Sequence, residues 1–145
     1  MIGNWVKDLS AVRATLENLI SPERVELLGF GEPLKPSGLG PDEGTGETAI
    51  AVLAAAALDK EFAAVTVVNL LSTYVVNSVA PVQRYSIVVP GMLNWGDVSL
   101  IAALSNCPMQ IKSLVHPSGR SLSGKEHSDW EKEVKLLSSR MAEKP

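Results

Sequence analysis

One cysteine, Cys107, stands in the 145 residues, so no disulfide can form within the chain and nothing argues for an oxidising compartment. There are only two histidines, His116 and His127, and with one remote cysteine they give no metal-ligand spacing. No metal and no cofactor is expected. Aromatic residues make up 5% of the chain, so a core has to be built mainly from Ala, Val, Leu and Ile. Positive charge is in deficit: 13 Lys and Arg against 16 Asp and Glu leave a net charge of −3, and no basic cluster overrides it. Nucleic acid is therefore not expected as a partner. The longest apolar run, Ala49 to Leu58, falls well short of the roughly 20 residues that span a bilayer. The opening "MIGNWVKDLS" has no basic region followed by an apolar run, so it does not read as a signal peptide. These absences leave the expectation of a soluble cytoplasmic protein with no membrane partner.

What is present is globular: 46% hydrophobic and 20% charged residues in the length of one domain, read as a single unit over 1–145. Trp5, Leu9, Val12, Leu16 and Leu19 recur at helical spacing and predict an amphipathic helix that Ser21-Pro22 stops. "RVELLGF" reads as a short strand, Val25 to Leu28, closed by Gly29 and Gly31. Residues 32–46 have the proline and glycine content of a loop. "ETAIAVLAAAAL" predicts a helix that is apolar nearly all round and hence buried. Ala63 to Leu71 is β-branched and almost continuously apolar, the pattern of a central parallel strand covered on both faces. Met109 to Val115 predicts a third strand, with Gln110 and Lys112 blunting it as a sheet edge. Asp97 is placed to cap a short helix, and Ser128 with Glu131 has the spacing of a capping box before the stripe Trp130, Val134, Leu137 and Met141. Tyr85 to Val89 reads equally as strand or extended loop. Helices alternating with strands predict an α/β fold: a three-layer sandwich with a short, mainly parallel sheet of three to four strands.

Taken in order, "SPERVELLGFGE", "AVLAAAALDKEFAAVTVVNLLSTY" and "VVPGMLNWGDVSLIAALSNCPMQIKSLVHPSGRSL" resemble the C-terminal half of α/β-hydrolases of the acetylxylan-esterase and cephalosporin-deacetylase type. The resemblance implies a partial α/β-hydrolase fold, and it places the nucleophile elbow at Gly29-Phe30-Gly31-Glu32-Pro33. An elbow of the form G-x-S-x-G needs a serine there. Gly31 stands in its place. The acid of the triad belongs in the loop after the third strand, which reads His116-Pro117-Ser118-Gly119-Arg120 and holds no carboxylate. The histidine belongs after one further strand that this sequence does not contain. A triad acts as a unit, so no inherited mechanism remains.

Gly29, Phe30, Gly31 and Glu32 are candidates for a ligand-binding turn, against the plainer reading that Gly31 permits a tight strand exit. His116 and Ser118 form the other candidate pair, at the end of a strand where α/β folds place functional groups. Against them stands the lack of an orienting acid. Glu43 to Thr48 is a possible anion cradle at a helix start, with Thr45 as an ordinary cap the competing account. Cys107 reads as a small buried hydrophobe, His127 as a solvated residue before a helix, and Trp5 and Trp130 as core.

The resulting reading is a non-catalytic, shortened α/β-hydrolase-like domain serving as an interaction or small-ligand-binding module and forming a homodimer. The alternative is a minimal esterase with a rebuilt site, using Ser118 or Ser37 with His116. A fragment that folds without a selected function is a third. Any ligand is expected between the loops Gly29 to Gly38 and His116 to Leu122.

Overall fold

Parallel pairing organises the chain around a middle strand that is buried on one face and half-buried on the other, rather than fully covered on both as its composition predicts. The computed structural model describes residues 2–31, 47–75, 92–94 and 96–143. Among them the order is α1 (Ile2–Ile20), β1 (Glu26–Phe30), α2 (Glu47–Leu58), β2 (Ala64–Val68), β3 (Leu70–Leu71), a 3-10 turn at Met92–Asn94, α3 (Val98–Ala103), β4 (Met109–Ile111), β5 (Leu114–Val115) and α4 (Gly124–Ala142). β1, β2 and β4 form one parallel sheet in that order, and β3 and β5 form a second parallel pair. Helices pack around this small sheet, giving a partial α/β sandwich.

The middle position of β2 follows from its composition. Val65 and Val67 are buried, and the register stacks them in the rows Leu27–Val65–Met109 and Gly29–Val67–Ile111. Helix α2 lies over this face. Its alanines let it come close: a Cβ on Gly29 would sit 2.2 Å from Val52 Cγ2 and 3.0 Å from Ala49 Cα. Thr48 binds the same strand from the start of the helix, accepting from the Phe30 N–H at 3.2 Å and donating to the Phe30 carbonyl. Leu28 and Phe30 point to the opposite face and remain 56% and 53% exposed.

The first strand is longer than its sequence suggests. It spans Glu26–Phe30, with Gly29 inside it rather than closing it, because Gly29 is the contact point for α2. The two longer strands are each interrupted, and at the same level. Asn69 takes φ 55° between β2 and β3, a conformation that asparagine tolerates better than other non-glycine residues. Across from it Lys112 and Ser113 separate β4 from β5. The Asn69 N–H donates to Ser113 Oγ at 2.7 Å, and that hydroxyl donates back to Asn69 Oδ1 at 2.7 Å. Side chains thus replace one rung of the ladder, and pairing resumes with Leu70 N–H to the Ser113 carbonyl.

Helix α1 ends where Ser21 adopts φ 44° just before Pro22, as a left-handed C-terminal residue does. The face it buries differs from its apolar stripe. Val6 is buried against α2, and Arg13 follows on the same side, bonded to Asp59 at 3.1 Å and lying over the Phe62 ring. Trp5 is only half-buried, and Val12 and Leu19 are 56% and 74% exposed.

Helix α4 starts four residues earlier than Ser128. Ser123 is its N-cap and Glu126, not Glu131, completes the capping box. His127 consequently lies within the helix, half-buried, with Nε2 shielded and 3.7 Å from Glu131 Oε1. The stripe itself forms as its spacing requires. Trp130 and Val134 are buried, Leu137 and Met141 pack beside them, and the indole N–H of Trp130 donates to the Ser72 carbonyl at 2.8 Å. Among the described residues no helix is long and apolar enough to cross a membrane.

Candidate functional site

His116 and Ser118 meet because the chain turns back on itself. Gly119 N–H donates to the His116 carbonyl at 2.8 Å, His116 N–H to the Arg120 carbonyl at 2.8 Å, and Leu122 N–H to the Leu114 carbonyl at 2.9 Å. Val115 and Ser121 form an antiparallel bridge. Pro117 supplies the fixed φ that suits the first turn position, and Gly119, at φ 88°, takes the left-handed position that closes a three-residue hairpin. "HPSGR" is therefore a tight turn closing a short hairpin after β5.

Inside this turn His116 Nδ1 is 2.8 Å from Ser118 Oγ and accepts the Ser118 backbone N–H at 3.1 Å. An amide donating to Nδ1 makes that nitrogen an acceptor, so the neutral ring carries its proton on Nε2. The serine–histidine distance is the one a nucleophile and base need. The surroundings are not those of an acyl-transfer site. Among the described residues no carboxylate bonds Nε2 to stabilise the charged form of the ring. The two nearest amides are both engaged, Ser118 N–H on Nδ1 and Gly119 N–H on the His116 carbonyl, leaving neither for an oxyanion. Ser118 is exposed, so water is not excluded.

A carboxylate does close on this hairpin, but it comes from α4 and binds a different residue. Glu126 takes two hydrogen bonds from Arg120, at 2.9 and 2.6 Å, and two more from the amide and hydroxyl of Ser123. The Arg120 guanidinium, with Ser123 behind it, holds the Glu126 carboxyl well below the usual carboxylate range. The sequence signal was the S-x-x-E spacing of Ser123 and Glu126, which duplicates that of Ser128 and Glu131.

The other candidate cluster is divided. Gly29 and Phe30 lie in β1. Gly31 is buried at its end, donating its N–H to the Val68 carbonyl at 2.7 Å. A Cβ there would stand 2.0 Å from the Asn69 carbonyl oxygen, so the position where an elbow needs serine has no room for any side chain. Glu32, Ser37, Glu43, Thr45 and Tyr85 to Val89 lie outside the described residues, as does most of the Gly29–Gly38 loop. The structure therefore brings His116 and Ser118 together and assigns Gly29 and Gly31 to packing.

Asp97 caps α3 and also holds the chain after β3. It accepts the Val98 N–H at 2.8 Å, the Tyr74 N–H at 2.7 Å and the Thr73 hydroxyl. Tyr74 packs against the core, and its own hydroxyl has no partner among the described residues. Burial, reinforced by the Asp97 charge, pushes that phenol well above its ordinary value. The sequence predicted the cap but gave no sign of the Thr73 and Tyr74 contacts. Cys107 is half-buried against the core, 3.8 Å from Ser105 Oγ. Among the described residues no group of three His, Cys, Asp or Glu side chains is placed to hold a metal ion.

No protein-family model matches this chain, and neither a curated protein nor a solved structure matches it.

Proposed function

We propose that this chain is a shortened, non-catalytic α/β-hydrolase-like domain of the cytoplasm that works as an interaction module and pairs with a second copy of itself. One observation carries the reading: large apolar side chains lie in water on a small domain, with Leu19, Ile20, Leu28 and Phe30 all more than half exposed. Isolated exposed hydrophobes are ordinary, but a parallel sheet usually has both faces covered. Leu28 and Phe30 on the edge strand depart from that pattern. The closed His116–Ser118 turn supports the non-catalytic half of the proposal, since its hydroxyl, ring nitrogen and amides already bond one another.

The 2.8 Å contact between His116 Nδ1 and Ser118 Oγ also supports the second reading, a minimal esterase. A panel of p-nitrophenyl esters separates the two. The expected result is no turnover above buffer. Turnover abolished by Ser118→Ala and by His116→Ala would overturn the non-catalytic reading.

A further inference from the structure

We infer that α1 is the surface through which two copies of this chain associate, each helix laying the seam Trp5, Leu9, Val12, Leu16 and Leu19 against the same seam of the other. The inference rests on the interaction reading above and names its surface.

The argument starts from the turn of the helix. At about 100° per residue, these five side chains fall within an arc of roughly 80°. The side held by α2 lies about 100° further round. Val6 is buried there, Arg13 bonds Asp59, and Ser10 bonds the same carboxylate. The domain thus directs an arginine inward and leaves an apolar stripe at its boundary. Exposure grades across that stripe as a rotated helix demands. Leu9 and Leu16, nearest to α2, are half-buried, while Val12 and Leu19 on the far side are 56% and 74% exposed.

The spacing says what covers it. Intervals of four, three, four and three residues form the seam of a heptad repeat, which packs side by side with another helix of the same period. An identical helix meets that condition by construction, and a two-fold pair uses the same patch on both partners. No seam position carries a charge. The flank away from α2 holds the exposed Asp8, and the flank toward α2 holds Arg13, five residues later. In a parallel pair those positions stand opposite each other across the seam, twice by symmetry. Arg13 uses Nε on Asp59 and Nη1 on Glu17, and its Nη2 donors have no partner among the described residues. Area sets the strength. The 19-residue helix is about 28 Å long at 1.5 Å per residue. Two such helices in contact remove on the order of 1,000 Å² from water, the lower end of specific interfaces. The pair is accordingly one that forms at micromolar concentration.

Sedimentation equilibrium of the full chain over the micromolar range is the test. The wild type is expected to approach twice the single-chain mass of 15.5 kDa. Val12→Glu with Leu19→Glu, both at exposed positions, is expected to shift it to the single-chain mass, whereas Leu28→Glu with Phe30→Glu leaves the dimer intact. A dimer that survives the α1 pair of changes, or is lost only with the β1 pair, overturns the α1 seam while the interaction reading stands. A wild type at the single-chain mass throughout overturns self-association altogether. A covalent readout guards against misfolding of the charged variant: Val12→Cys in a Cys107→Ser background should oxidise to a crosslinked dimer, and failure to crosslink counts against the seam.

Discussion

Arg120 and Glu126 grip each other through two hydrogen bonds, 2.9 and 2.6 Å long, and so tie the hairpin that follows β5 to the first turn of α4. Both side chains are about half exposed, so the pair acts mainly by fixing geometry, as surface ion pairs do. The Glu126 carboxyl is depressed chiefly by Arg120 and then by Ser123. A depressed acid contributes stability that is complete above its ordinary value of 4.5 and disappears as pH falls below it. Urea midpoints of wild type and Glu126→Gln should therefore differ at neutral pH and converge in acid. A gap that persisted or widened in acid would assign the difference to something other than the carboxylate.

Gly31 should not tolerate alanine. The added Cβ meets the Asn69 carbonyl at 2.0 Å, and backbone cannot swing aside as a long side chain does. Gly31→Ala is expected to lose about 1–3 kcal/mol of stability, the usual cost of overfilling a packed site. Gly3→Ala, with nothing within 4 Å of the added atom, is the control and should not be destabilised. Chemical denaturation of the two variants decides the matter, and equal midpoints would refute the close approach of β1 to Asn69.

Trp130→Phe keeps an aromatic ring but removes the donor to the Ser72 carbonyl. A buried acceptor left without its partner costs about 1–3 kcal/mol, so a clear drop in thermal midpoint is expected. An unchanged midpoint would mean that the indole N–H contributes nothing beyond its apolar bulk.

Tyr74 should ionise late. Its phenol is raised first by burial and then by Asp97, so the folded state keeps it neutral beyond the ordinary value of 10.0. Stability from this group is complete below that value and falls as pH climbs above it. Subtracting the ultraviolet titration of Tyr74→Phe from that of wild type isolates the transition. A midpoint at or below 10.0 would contradict the buried placement.

The sequence carried the layout of this domain further than its details. Composition alone pointed to the buried α2, because alanine near-continuity leaves no polar face, and to the central β2, because β-branched runs suit a strand covered on both sides. Asp97 as a cap was equally legible. Asn69 was not: in an apolar run it looked like one tolerated polar residue, and only its φ of 55° shows that it divides two strands. Two successive S-x-x-E pairs, Ser123–Glu126 and Ser128–Glu131, offer a start for α4, and spacing alone does not choose between them. Arg120, reaching back to Glu126, shows which one the fold uses. For α1 the periodicity revealed the stripe but not what lies against it: Trp5, read as core, is only half-buried, while Val6 and Arg13 face the domain. The candidate site divided on the same ground. His116 and Ser118 are close in sequence and necessarily close in space, while the crowding at Gly31 depends on a carbonyl 38 positions away.

The carboxylate of Asp97 has a further consequence. By accepting from Thr73 and Tyr74 on one side and Val98 on the other, it fastens together two points 23 residues apart along the chain. Asp97→Ala would therefore remove the cap of α3 and the tie to Thr73 and Tyr74 together.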